Sequence, residues 1–130
     1  MRQIKFRFRV ENTECPVSKS YFEYKTLEDI MNYGFSVNDT DYEIVGKDQF
    51  TGLLDKNGRE IYEGDIVKYN VWEKFREECH ERIMAVQFST DCAGFAPMCY
   101  SVKVEDAYYN YEVEDLEVIG NIYENPELLK

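Results

Sequence analysis

The stretch TGLLDKNGREIYEGDIVKY, Thr51 to Tyr69, constrains the fold more than any other part of the chain. Asp55-Lys56-Asn57-Gly58 is a reversal, because Asn57 and Gly58 tolerate the positive φ that a tight turn requires. The apolar residues on either side of it are therefore set as a hairpin. Ile61 and Tyr62 lead to a second reversal at Glu63-Gly64-Asp65. Ile66-Val67-Lys68-Tyr69 then carries the β-branched and aromatic residues of a strand.

Upstream, Ile4, Phe6, Phe8 and Val10 alternate with Lys5, Arg7 and Arg9. Period-2 alternation predicts a half-buried strand with one apolar and one cationic face. Arg2, Lys5, Arg7 and Arg9 then form either an electropositive strip for an anionic partner or a solvated face that pairs with carboxylates elsewhere. The overall charge favours the solvated face. Residues 12–20 read as a connection and Tyr21-Phe22-Glu23-Tyr24 as a short strand. Thr26 is placed as an N-cap with Asp29 three residues on, a capping box that opens a helix over Leu27 to Tyr33. Leu27, Ile30, Met31 and Phe35 supply its apolar stripe, and Gly34 ends it in the left-handed region. Tyr42 to Val45 predicts another short strand.

Downstream of Tyr69, the charged segment Glu73 to Arg82 extends as a short helix or a long hairpin tip. Ile83 to Phe88 reads as a strand apolar on both faces and hence buried, and Ser89 to Pro97 as a loop. Tyr100–Val104, Tyr108–Val113 and Asp115–Tyr123 are further strands, with Gly120 marking a bulge or a close backbone approach. Pro126 to Leu129 forms one helical turn with proline in its first position. The fold class is mainly β with one short helix. Residues 51–130 are expected to build a small, partly open SH3-like β-barrel from Ile66–Val71, Ile83–Phe88, Tyr100–Val104, Tyr108–Val113 and Leu116–Tyr123. Residues 1–50 supply an N-terminal strand and helix appendage to the same single domain.

A chain of 130 residues is one domain's worth and buries a core without staples. Its net charge of −11 argues against direct contact with a phosphate backbone, since repulsion replaces counterion release. The start MRQIKFRFRV lacks the apolar core of a secretion signal, and no run approaches the ~20 apolar residues of a membrane span. These features predict a cytoplasmic protein whose four cysteines are reduced.

Chemistry-bearing constellations are sparse. Cys79, His80, Cys92 and Cys99 are irregularly spaced for zinc, and adjacent Cys79 and His80 point to opposite faces of a strand. Ser36 to Asp41 (SVNDTD) lacks the glycine and terminal glutamate of a calcium loop. Nucleophilic catalysis needs a positioned base, and His80, the sole histidine, sits in a charged segment. There is no phosphate-binding glycine loop and no nucleophile elbow. Glu112, Glu114, Asp115 and Glu117 form an acidic cluster, read as a solvated edge or as a partner face. No catalytic, cofactor-binding or metal-binding residue is assigned, and no cofactor is expected.

The central stretch resembles the signature of the YopX-like proteins of bacteriophages and prophages. The start MRQIKFRFR and the end EDLEVIGNIYENPELL fit the same pattern, in the family's order. The resemblance implies a small, mostly β, phage-associated protein with no defined catalytic or ligand-binding residues. Together with eleven tyrosines and the missing catalytic set, it favours a non-enzymatic protein acting through protein–protein contacts, as a homo-oligomer or with a host or phage partner. An acidic nucleic-acid mimic that blocks a host DNA-binding enzyme is the alternative, and a carboxylate or metal-dependent hydrolase a second one.

Overall fold

The computed structural model describes residues 3–14, 20–34, 41–73, 77–91, 93–100 and 111–130. The chain divides into two compact units, residues 1–52 and 53–130. The described strands form three antiparallel sheets, accompanied by one short α-helix and two single 3₁₀ turns.

In the N-terminal unit, β1 (Lys5–Asn12) follows from the alternation at the start of the chain. It is flanked on one side by β2 (Tyr21–Thr26) and on the other by β3 (Tyr42–Leu54). The β1/β2 ladder runs without a shift from Lys5 opposite Thr26 to Val10 opposite Tyr21. The β1/β3 ladder shifts by one residue between Arg9 and Val10. Between β2 and the connection to β3 lies α1 (Leu27–Tyr33). Among the described residues of this unit, Phe8, Val10 and Phe50 are the buried apolar ones.

Its capping box is complete. The Thr26 backbone N–H donates to Asp29 Oδ2 at 2.9 Å, and Asp29 N–H donates back to Thr26 Oγ1 at 3.2 Å. Gly34 closes the helix through its N–H on the Ile30 carbonyl at 2.8 Å. It has φ 76° but ψ −165°, so the chain leaves in a glycine-only extended conformation rather than in the expected left-handed one. The apolar stripe is where the expectation fails. No residue of α1 is buried, and Met31 and Tyr33 are 78% and 81% exposed. Phe35 lies outside the described residues.

In the C-terminal unit, the hairpin turn 55–59 separates the end of β3 from β4 (Glu60–Tyr62), and Glu63-Gly64 turns the chain into β5 (Asp65–Glu73). Gly58 takes φ 82° whereas Asn57 does not share the positive φ, so one residue carries the reversal. β5 is the central strand of a three-stranded sheet, with β6 (Glu78–Ala85) on one edge and β9 on the other. Between them in sequence come β7 (Gln87–Ser89) and β8 (Gly94–Ala96), a two-stranded sheet of their own. β9 spans Tyr111–Asn121. A core cluster of Ile61, Val67, Tyr69, Val86 and Val118 lies beneath, with Met84, Val113 and Leu116 packed against it.

Several expected boundaries shift. Tyr42–Val45 is only the start of a 13-residue strand that continues through Gly46. Of Glu73–Arg82, residues 74–76 lie outside the described residues, and Glu78–Arg82 belongs to β6, which pairs with β5 with Trp72 opposite Cys79. Ile83–Phe88 is two strands broken at Val86, whose carbonyl accepts from Gly64 N–H at 2.9 Å and whose N–H donates to the Asp65 carbonyl at 2.8 Å. Only Val86 there is buried; Ile83 and Phe88 are exposed, which overturns the reading of two apolar buried faces. Ser89–Pro97 is not all loop, because it contains β8. Met98–Tyr100 is a 3₁₀ turn, and the rest of Tyr100–Val104, together with the first residues of Tyr108–Val113, lies outside the described residues. Tyr111–Val113 belongs to β9, which ends at Asn121 rather than Tyr123. Pro126–Leu129 is the expected single turn, as a 3₁₀ helix with proline at its start.

Candidate functional site

The two aspartates of the central stretch explain why it is ordered as it is. Asp55 is 7% exposed, and its carboxylate accepts three backbone N–H bonds. Oδ1 takes those of Asn57 and Arg59, each at 2.9 Å, and Oδ2 takes that of Val118 at 3.0 Å. Burial works against its charge, but the N–H donors of Val118, Arg59 and Asn57, helped by the Arg59 guanidinium, outweigh it and hold the carboxyl below its ordinary value. Asp65 Oδ2 accepts from Tyr62 N–H at 2.8 Å and bridges the second turn.

The terminal stretch meets the central one at each of these turns. Lys56 N–H donates to the Leu116 carbonyl at 2.8 Å, and Ile122 N–H to the Gly64 carbonyl at 2.8 Å. Asn121 closes the chain end by accepting from Tyr123 and Glu124 N–H at 3.0 and 2.9 Å. A Cβ on Gly120 would lie 2.6 Å from Asn125 Oδ1, so Gly120 marks a close approach. It also borders a register shift against β5, between Ile66 and Val67. The segments that carry the family resemblance in this unit are thus tied to each other by buried turn chemistry. Their aspartates face backbone amides and build the fold.

The cationic residues of β1 do not form a solvated face. Arg7 and Arg9 are 3% and 6% exposed, and both guanidiniums lie over the Phe22 ring, 4.3 and 4.8 Å from its centroid. Arg7 Nη2 and Nε donate to Asp48 Oδ2 at 3.0 and 3.3 Å. Arg9 Nε stands 3.9 Å from Glu11 Oε1. Lys5 Nζ lies 5.3 Å from the Phe50 ring centroid. The expected pairing with carboxylates is present for Arg7, but aromatic cover replaces water, because a planar guanidinium is weakly hydrated and stacks on a ring. Arg2 lies outside the described residues. An electropositive strip open to an anionic partner is not what these three side chains make.

The remaining candidates are scattered. Cys79 is exposed, and the exposed His80 places Nε2 3.2 Å from Glu78 Oε2. Cys99 is half-buried, whereas Cys15 and Cys92 lie outside the described residues, as do residues 36–40 of the SVNDTD run. Among the described residues no three His, Cys, Asp or Glu side chains gather as a metal ion would need. The acidic cluster lies on β9, an edge strand among the described residues. Glu117 pairs with Lys56 at 3.2 Å, and Asp115 accepts from Asn70 Nδ2 at 3.1 Å. Glu112 and Glu114 stand opposite Trp72 and Asn70 of β5.

The feature that composition did not locate is a set of exposed large apolar side chains in the N-terminal unit. Tyr21, Tyr24, Leu27, Met31 and Tyr33, consecutive along β2 and α1, are all exposed. Only the tyrosine count hinted at it. The helical stripe was legible, but which side of it would be covered was not.

Comparison with known proteins bears on the whole of this arrangement. No curated protein matches the chain. Among solved structures, the crystal structure of protein EF1440 from Enterococcus faecalis matches at 27% identity. That match covers 95% of this chain and 75% of the other, with a TM-score of 0.35. The family model described as YopX protein matches residues 5–130, nearly the entire chain. This chain belongs to the YopX family.

Proposed function

We propose that the protein is a small phage- or prophage-derived protein of the host cytoplasm that acts without catalysis, through protein–protein contacts, and assembles as a homo-oligomer. The observation that carries this reading is the run of exposed tyrosines and aliphatic residues on β2 and α1. A seven-residue helix is too short to be stable on its own, and most helices draw their stability from a packed apolar face. Tyrosine is enriched at the cores of interfaces, where an apolar ring and a polar tip serve both sides of the boundary. No helix among the described residues is long and apolar enough to cross a membrane. Light scattering across a salt series tests the reading. A species larger than a monomer should persist at high salt, since apolar contacts depend little on screening. A strict monomer at all concentrations rejects it.

A second reading has its own support in the distribution of charge. After Gly52 the chain carries 8 basic and 17 acidic residues, net −9 (8 − 17), against −2 before it (7 − 9). An acidic nucleic-acid mimic would use that unit to occupy a basic DNA-binding protein, with capture slowing as salt rises. For the architecture of residues 51–130 we retain a partly open SH3-like barrel. Its support is the pair of register shifts between β5 and β9, since bulges bend and twist a strand pair.

A further inference from the structure

We propose that Asn57 is a self-modification site, which converts to aspartate and isoaspartate through a cyclic imide with Gly58, and that the Asp55 turn holds this reaction back while the chain is folded. The Gly58 backbone nitrogen attacks the Asn57 side-chain carbonyl carbon, its proton passes to a base such as hydroxide, and ammonia leaves. Water then opens the imide at either carbonyl. One opening gives aspartate, the other isoaspartate, with an extra methylene in the main chain. Glycine favours the closure because it has no Cβ to hinder the approach. Of the asparagines in the chain, only Asn57 precedes a glycine.

The site is open to water and base. Lys56, Asn57, Gly58 and Arg59 are all exposed, and nothing lies within 4 Å of where a Cβ on Gly58 would stand. The attacking nitrogen, however, is occupied. Gly58 N–H donates to the Asp55 carbonyl at 3.0 Å, and Asp55 N–H donates to the Arg59 carbonyl at 2.8 Å. On either side of Gly58, the N–H groups of Asn57 and Arg59 both donate to Asp55 Oδ1 at 2.9 Å.

These bonds oppose each part of the reaction. The Gly58 nitrogen must lose its proton, so its bond to Asp55 has to break first. The negative charge that builds there stands close to the Asp55 carboxylate, and like charge disfavours it. Attack also requires the peptide between Asn57 and Gly58 to rotate, while three successive N–H groups fix it. The turn is moreover fastened to β9, through Val118 N–H on Asp55 Oδ2 at 3.0 Å and Lys56 N–H on the Leu116 carbonyl at 2.8 Å. Reaction of the folded chain therefore runs through a locally opened turn, whose population sets the rate. Once formed, either product adds a negative charge beside Asp55. Isoaspartate also lengthens the main chain inside the turn and puts Gly58 and Arg59 out of step with their Asp55 acceptors.

The test incubates the full chain at mildly alkaline pH, folded in buffer and unfolded in guanidinium chloride. Peptide mapping by mass spectrometry follows the amide-to-acid change at each asparagine. In the unfolded chain Asn57 should convert before every other asparagine. In the folded chain it should convert at least about tenfold more slowly, the effect of one retained buried hydrogen bond on the open population. Folded Asp55→Asn should convert Asn57 about tenfold faster than folded wild type. Thermal melts check that this variant is folded. Should it not fold, hydrogen exchange of the wild type decides, and Gly58 N–H exchange should be slowed by the same factor as Asn57 conversion. Another asparagine converting first in the unfolded chain overturns the site. Equal Asn57 rates in folded and unfolded wild type, a Gly58 amide that exchanges as fast as in the unfolded chain, or a folded Asp55→Asn no faster than wild type overturns the protection.

Discussion

Asp55 shows how one side chain can close a turn and join distant segments. Its position in the reversal Asp55-Lys56-Asn57-Gly58 was legible, since a short acidic side chain bonds its own backbone two residues on. Its third bond, to Val118, spans 63 residues and had no local signal. Asp55→Asn should therefore destabilise by about 1–3 kcal/mol at neutral pH, because an amide cannot accept with both of its heavy atoms and a buried N–H loses its partner. The folded-state pKa is depressed, so the charge contributes stability above its ordinary value near ~4. That contribution fades as pH falls through the lower folded value. Denaturant melts of wild type and variant should accordingly converge in acid. A gap that stays constant down to strongly acidic pH would show that the ionised carboxylate is not what matters.

At the scale of elements, local rules held where the partner was a near neighbour in sequence. The capping box of α1, Thr26 with Asp29, needs only three residues and formed as read. Because no residue of α1 is buried, the helix can open locally without disturbing the core. Thr26→Ala should cost about 1 kcal/mol. The loss should appear as amide exchange about fivefold faster in residues 27–33, with little shift of the global melting midpoint. A lowered midpoint without faster local exchange would place the helix inside the cooperative core instead. Patterning misled for β1 and for Ile83–Phe88. Alternation announced the β1 strand but could not reveal that Phe22 and Asp48 would cover Arg7 on the face expected to meet water. Val86 interrupts an apolar run because its backbone bonds the Gly64-Asp65 turn, a contact made across more than twenty residues.

For the whole molecule, charge makes the sharpest prediction. The three described cations of β1 are covered by rings or carboxylates, and the chain carries net −11, so random duplex DNA should not bind measurably near physiological salt. Fluorescence anisotropy with a labelled duplex checks this, and binding that weakens steeply with salt would contradict it. The sequence alone determined the β class, the helix Leu27–Tyr33 with its cap, the placement of the turns in the central stretch and the family. Each of these follows from a few adjacent residues, whose φ preferences, hydrogen-bonding side chains and period act within a turn or a strand. Tertiary structure decided the rest: that Asp55 would clasp β9, that two arginines would be buried over one ring, and that an apolar helix face would be left exposed beside an outermost strand. These depend on which segments meet, and burial of a side chain is set by the neighbour that arrives from elsewhere in the chain, which period and propensity do not encode.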